Sequence, residues 1–286
     1  MWLCFAVGSA FFAGITAVLA KIGIQTVNST LATAIRTVVV LIFSWLLVFV
    51  VGSQAQILQI TGTTLCFLIL SGLSTGASWL CYFRALQLGD VNKVAPIDKS
   101  STVLTILLAF LLLGEPISTA QVFGVLGIGI GTLLMISKKE EEKDRPQQRG
   151  WLAFAVLSAL FASLTSIFGK IGVEGVESNL GTAIRTVVVL GMAWLMVFVT
   201  GQQKGIRHIG RKDWLFLLLS GLSTGLSWLC YYRALQDGPA SVVVPVDKLS
   251  ILVTIVFSRL ILHEKLSRRA AAGLALLVLG TGAMLL

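Results

Sequence analysis

Apolar residues run along the whole chain in blocks close to the ~20 residues that a helix needs to cross a bilayer. Such blocks lie at 2–20, 30–51, 63–86, 92–113 and 117–136, and again at 151–169, 179–200, 212–235, 241–262 and 268–286. The polar interruptions between them are short, as between antiparallel neighbours. The pattern predicts an all-α integral membrane protein of ten transmembrane helices, with no room for a separate soluble domain.

The ten blocks are one set of five written twice. LATAIRTVVV at Leu31–Val40 returns as LGTAIRTVVV at Leu180–Val189, and SGLSTGASWLCYFRALQ at Ser71–Gln87 returns as SGLSTGLSWLCYYRALQ at Ser220–Gln236. Both pairs stand 149 residues apart, and the register holds without a gap from Trp2/Trp151 to Glu115/Glu264. The chain is a tandem duplication, read as a first five-helix repeat at 1–136, a charged linker at 137–150 and a second repeat at 151–286. An odd number of crossings turns the second repeat over relative to the first. The charges agree: the loop after the seventh block carries Lys204, Arg207, Arg211 and Lys212, and the loop after the ninth carries Lys265, Arg268 and Arg269. Their counterparts, Gly52–Gly62 and Gly114–Ser118, hold no Lys or Arg. The reading is two inverted repeats, with the linker and the basic loops cytoplasmic and both termini outside.

Composition strengthens the membrane reading. Hydrophobic residues make up 56% of the chain and charged ones 12%, and the mean hydropathy is +0.91. The net charge of +9 sits mainly in loops flanking apolar blocks, so topology explains it better than nucleic acid does. Met1-Trp2-Leu3-Cys4 has no basic leader, and the first block has a counterpart at Trp151, so it reads as a helix and not a cleaved signal. Cys4, Cys66, Cys81 and Cys230 lack metal-ligand spacing and read as small packing residues; no cofactor or metal is expected.

Polar residues inside the apolar blocks carry the functional signal, because a charge at mid-bilayer costs at least ~2.5 kcal/mol. Arg36 and Arg185 stand in the TAIRTVVV motifs, with Thr33 and Thr37, and Thr182 and Thr186, at helical spacing beside them. Each is either an anion-binding group or a side chain that snorkels or ties helices together. Asp98-Lys99 and Asp247-Lys248 follow Pro96 and Pro245 near the start of the fourth and ninth blocks, at an expected irregular first turn. They are candidates for coupling or gating, or for structural ion pairs. Ser74, Ser78, Trp79 and Tyr82, with Ser223, Ser227, Trp228 and Tyr231, form stripes on the third and eighth blocks that suit a substrate pathway or close helix packing. Lys21 and Lys170 read as interfacial anchors. Gly124, Gly127, Gly129 and Gly131, with Gly273, Gly280 and Gly282, suit a seam between repeats or a dimer contact.

Five plus five helices, TAIR motifs, PIDK and PVDK at the fourth and ninth blocks, ALQLGDVNKVAPIDK at Ala85–Lys99 and LLLGEPIS at Leu111–Ser118 together resemble the drug/metabolite transporter superfamily. Each half is similar to its EamA-type module, and the resemblance covers essentially the whole chain. It implies a transporter whose halves enclose a central cavity lined by the third, fourth, eighth and ninth helices, moving small organic metabolites by alternating access, often outward. One departure bears on charge: relatives that exchange lipophilic cations use a carboxylate in the first helix, and the first and sixth blocks here have none.

These features favour a secondary transporter of a small anionic or zwitterionic metabolite, such as an amino acid or organic acid, in the cytoplasmic membrane. Alternatives are a lipid or lipid-headgroup transporter and a non-transporting membrane scaffold. Expected partners are a small-molecule substrate and the bilayer, not nucleic acid, with the chain acting as a monomer of two related halves or as a homodimer. An enzyme is disfavoured: the histidines, His208 and His263, lie in basic loops without triad or metal spacing.

Overall fold

The computed structural model of the protein describes residues 1–23, 27–88, 97, 100–135, 150–261 and 268–285. These form α1 (Trp2–Gly23), α2 (Ser29–Val51), α3 (Gly62–Leu88), α4 (Ser101–Leu113), α5 (Thr119–Met135), α6 (Trp151–Glu174), α7 (Ser178–Val199), α8 (Arg211–Asp237), α9 (Ala240–Lys248), α10 (Ser250–Ile261) and α11 (Arg268–Ala283). Among the described residues, seven segments are long and apolar enough to cross a membrane, lying in α1, α2, α3, α6, α7 and α8 and from Ala240 to Phe257. Helices α4 and α5 are equally apolar but shorter.

Equivalent positions of the duplication start and stop helices in the same way with different chemistry. The Asn28 side chain caps α2 by accepting from the backbone N–H of Thr30 at 2.9 Å, and its counterpart Glu177 caps α7 by accepting from Asn179 at 3.0 Å and Leu180 at 3.1 Å. After α2 and α7 the chain turns through Gly52 (φ 77°) and Gly201 (φ 69°), a left-handed conformation that glycine adopts without steric cost. Each turn leads into a short 3-10 helix, Ser53–Gln59 and Gln202–His208. The first of these exposes Leu58 and Ile57, whereas the second ends in Arg207 and His208.

The ninth apolar block differs from its expected form. It is two helices, α9 and α10, separated at Leu249, and Pro245 lies inside α9 instead of at its first turn. Proline lacks the N–H that would bond the carbonyl of Ser241, and the helix ends one turn later. The start of α9 is fixed from a distance: the Glu115 carboxylate of the LLLGEPIS motif accepts from the backbone N–H groups of Ala240 at 2.7 Å and Ser241 at 2.8 Å.

The chain forms two compact units, and each draws on both sequence repeats. The first comprises Met1–Leu73, Phe168–Gly238 and Ser250–Glu264; the second comprises Ser74–Ile167, Pro239–Leu249 and Lys265–Leu286. In the first unit, α1 packs along α8 and against α10, and α2 packs against α7 and α8. In the second, α5 lies along α11, and α4 packs on α9. The glycines explain the α5–α11 contact, since a methyl on Gly131 would lie 2.6 Å from the Gly273 carbonyl oxygen and one on Gly280 2.7 Å from that of Gly124. The glycine-rich fifth and tenth blocks thus meet each other. Gly129 faces away, with Val103 its nearest neighbour at 3.9 Å.

Lys170 is not the interfacial anchor its position suggests. Its ammonium donates to the carbonyls of Leu235 at 2.6 Å and Gly238 at 2.9 Å, closing the C-terminal end of α8, and it pairs with Glu174 at 3.6 Å. The side chain is 12% exposed, because unsatisfied carbonyls at a helix end offer a cation more than headgroups do.

Candidate functional site

Both motif arginines lie in the first unit, each where a second-block helix of one repeat crosses a third-block helix of the other. At the α2–α8 crossing, a methyl on Gly221 would lie 2.7 Å from Val39 Cβ and 3.1 Å from the Arg36 carbonyl oxygen. At the crossing of α7 with the first half of α3, a methyl on Gly72 would lie 2.7 Å from Val188 Cβ and 3.0 Å from the Arg185 carbonyl oxygen. These are the same positions, 149 residues apart. Glycine lets the backbones touch, and the arginine on the crossing face turns inward to the polar side chains of the facing helix.

The threonines of the TAIR motifs are occupied within their own helices. Thr33 donates to the Ser29 carbonyl and Thr37 to that of Thr33, each at 2.8 Å; Thr182 and Thr186 do the same at 2.8 and 2.6 Å. The arginines therefore take hydroxyls from elsewhere, and here the copies part. Arg185 is 1% exposed. Its Nε donates to Ser71 Oγ at 3.2 Å, and its guanidinium lies 4.5 Å from the Tyr232 ring centre and 5.3 Å from that of Trp228. Arg36 is partly exposed and donates from Nη2 to Thr224 Oγ1 at 2.8 Å. Among the described residues, its buried Nε makes no hydrogen bond.

The magnitudes separate the two. A desolvated cation over an aromatic face gains ~2 kcal/mol and a charged hydrogen bond about 1.5–3 kcal/mol, together enough to offset the ~2.5–3.5 kcal/mol of placing Arg mid-membrane. Arg185 has both kinds of contact. Arg36 has one side-chain hydrogen bond among the described residues, while an orphaned buried donor costs about 1–3 kcal/mol. Among the described residues, the ion pairs are Lys170–Glu174, Arg233–Asp237 and Lys248–Asp247, and none includes Arg36.

The first unit also holds Ser223, Ser227, Trp228 and Tyr231. Ser223 Oγ donates to the Phe12 carbonyl at 2.8 Å and Ser227 Oγ to that of Ser9 at 3.1 Å, while Tyr231 meets Tyr232 edge to face at 5.2 Å. Trp228 is the indole beside Arg185. The second unit holds Ser74, Ser78, Trp79, Tyr82, Asp247 and Lys248. Ser78 Oγ donates to the Ser158 carbonyl at 3.1 Å, and Ser158 Oγ returns a bond to the Ser78 carbonyl at 3.2 Å. Ser74 is buried and Trp79 partly so. Tyr82 packs against the cluster of Ala85 and Ala155, as do Ile97, Trp151 and Phe154. Asp247 and Lys248 are 3.9 Å apart, with the lysine side chain 41% exposed. Asp98, Lys99 and linker residues 137–149 lie outside the described residues.

Two contributors escape a reading by sequence. Tyr232 was hidden by its neighbour Tyr231, although position 232 is where the repeats differ, its counterpart being Phe83. Thr16 lies among apolar residues of α1, yet its buried Oγ1 has no hydrogen-bond partner among the described residues. Within those residues no group of three His, Cys, Asp or Glu side chains stands close enough to hold a metal ion.

The model of the EamA-like transporter family matches residues 1–137 and again 149–286. The chain belongs to the EamA-like transporter family. It is a multi-pass membrane protein, and the two matches coincide with the halves of its duplication. A curated relative from Sinorhizobium sp., described as an uncharacterized transporter in the cobO 3' region, is 48% identical over 132 residues. That stretch is 46% of this chain and 94% of the relative, a length close to that of one repeat. A protein known by crystal structure matches at a TM-score of 0.80 with 17% identity, covering 99% of this chain and 96% of its own, a likeness of fold.

Proposed function

We propose that this EamA-family transporter is a secondary transporter of a small anionic or zwitterionic metabolite, such as an amino acid or an organic acid, working by alternating access and exporting its substrate from the cytoplasm. Its ten crossings form two five-helix repeats of opposite orientation in the cytoplasmic membrane, with the linker on the cytoplasmic side. Two inverted halves that exchange conformations convert an inward-open form into an outward-open one. The observation that carries the reading is the pair of motif arginines inside the membrane-spanning part, each on a helix crossing and, for Arg36, with no carboxylate paired to it among the described residues. A transporter for lipophilic cations has no use for such a charge. Asp247-Lys248 and Asp98-Lys99 are the candidates for coupling or gating, and Trp79, Tyr82 and Tyr231 for the walls of the pathway.

The test is flux into proteoliposomes with pyruvate, succinate, L-alanine, L-glutamate and a lipophilic cation, for the native protein and for Arg36→Gln/Arg185→Gln. Uptake of a carboxylate by the native protein and its loss in a folded variant supports the proposal. Uptake of the cation alone, or equal carboxylate flux in both proteins, overturns it.

A further inference from the structure

The polar atoms around Arg36 form a set that lacks a member. Thr224 Oγ1 accepts from Arg36 and donates to the Ser220 carbonyl at 2.7 Å, and Ser220 Oγ donates to the Thr16 carbonyl at 3.5 Å. These contacts bring α2, α8 and α1 to one level, and two buried polar atoms there, Arg36 Nε and Thr16 Oγ1, have no partner among the described residues. The repeat counterparts of Thr224 and Thr16 are Thr75 and Thr165, whose hydroxyls do bond each other at 3.4 Å. Among the described residues, Thr224 and Thr16 do not make the equivalent bond. Buried donors are rarely left open without a reason, and two in one layer point to a group that arrives from outside the chain.

We infer that the repeats have divided the work: Arg36, with Thr224 and Thr16, binds a single carboxylate of the transported molecule, and Arg185 is a strut that no solute touches. The inference rests on the transporter reading and narrows it. Arg185 is enclosed at 1% exposure between Ser71, Trp228 and Tyr232, so a ligand has neither a path to it nor room to turn it. Arg36 is partly exposed and held by Thr224, so its guanidinium can turn to bring Nε–H and an Nη–H onto a ligand. That planar fork matches the two oxygens of a carboxylate. Charge sets the ligand class too. One reachable guanidinium balances a monoanion, whereas a phosphate dianion brought out of water with one cation would keep an uncompensated charge. The motif sequences around both arginines are the same, so the division comes from the facing helices, where Tyr232 replaces the equivalent of Phe83.

The experiment is arginine labelling with phenylglyoxal of the purified full chain in nanodiscs, read by peptide mass spectrometry, alone and with pyruvate, succinate, L-alanine or inorganic phosphate. Arg36 is expected to react at least tenfold faster than Arg185, and at least one carboxylate to slow it fivefold or more while phosphate does not. Equal labelling of both arginines, protection by phosphate alone, or protection by none of the four overturns the inference. Flux separates its failure from that of the parent reading. With native protein transporting a carboxylate, folded Arg36→Gln is expected to lose flux and Arg36→Lys to recover part of it at a raised KM. Full flux in Arg36→Gln overturns the Arg36 assignment and leaves the transporter standing, whereas no carboxylate flux in the native protein overturns the transporter reading itself.

Discussion

At the α2–α8 crossing a methyl on Gly221 would come within 2.7 Å of Val39, and at the α5–α11 crossing one on Gly131 would come within 2.6 Å of the Gly273 carbonyl oxygen. The same device, glycine at a point of helix contact, serves opposite ends. Along α5 and α11 it brings backbone to backbone, with Met284, Leu276 and Leu277 filling the sides, and the residues meeting at these glycines carry no charge. At the α2–α8 crossing it brings an arginine against hydroxyls, an arrangement that gives up stability. A membrane protein gains little from burying a cation where an apolar residue would fit at no cost, so on the proposed reading the polar crossing serves binding and the apolar one holds helices together.

The largest expected effect breaks the apolar crossing. Gly131→Leu drives a branched side chain into the backbone of α11, where even the first methyl overlaps Gly273 and the Leu277 nitrogen, and the variant should yield no monodisperse protein on size exclusion. Gly131→Ala should survive with a loss of about 1–3 kcal/mol, the usual range for overpacking. Gly129→Ala is the control on the same helix: with its nearest neighbour at 3.9 Å it should change stability by less than ~0.5 kcal/mol. Helix propensity favours Ala over Gly at both positions, so equal losses at 129 and 131 would mean that the close approach of Gly131 to α11 does not set the effect.

Next comes the enclosure of Arg185. Tyr232→Leu removes the ring face 4.5 Å from the guanidinium and leaves a void in a site 2% exposed, so unfolding in detergent should show a loss of about 2–4 kcal/mol. Tyr232→Phe keeps the face and should cost less than about half as much. If both lose equally, the hydroxyl and not the ring is what holds Arg185.

Much of this contrast was open to a reading of the chain. The apolar blocks, the duplication, the arginines inside TAIRTVVV and the clustering of glycines in the fifth and tenth blocks all follow from residue spacing, because each is read along the chain without knowing which helices touch. The pairing of helices is not local. Nothing in TAIRTVVV tells Arg36 that it meets Thr224 of the other repeat, or that Arg185 meets Ser71 and Tyr232, since eight identical residues end in two different environments. The break at Leu249 is not legible in the sequence for a related reason: a proline signals a lost hydrogen bond, but where the helix yields depends on what holds its ends, here Glu115. Lys170 misled because an exposed headgroup contact and a helix-end cap look alike in sequence.

That cap supplies a smaller effect. Lys170→Met keeps the length of the side chain but removes the donors to the Leu235 and Gly238 carbonyls, with an expected loss of about 1.5–3 kcal/mol for two bonds that share one charge. Gln236 limits the damage, because its amide ties the same end of α8 to the Val173 and Val176 carbonyls at 2.6 and 2.7 Å. Hydrogen exchange at the last turn of α8 should rise in Lys170→Met and rise further in Lys170→Met/Gln236→Met. No change in exchange would show that the helix end is held by packing alone.

The smallest effect tests what the serine stripes are for. Ser227 bonds the Ser9 carbonyl and Ser78 that of Ser158, both at 3.1 Å and at equivalent positions of the two repeats, with all four serines buried. Interhelical hydrogen bonds of this kind in membranes average ~0.6 kcal/mol, because in the unfolded state the same hydroxyls bond their own helices. Ser227→Ala and Ser78→Ala should therefore each lower stability by about that amount and leave the KM of a transported carboxylate within about twofold. A KM shift of tenfold or more, with stability unchanged, would return the stripe to the substrate pathway and weaken the contrast between the proposed arginine layer and the helix contacts that frame it. The two serines give independent readings, and agreement between them would mean that the crossing of α1 with α8 and that of α6 with α3 are held by equivalent serine-to-carbonyl bonds.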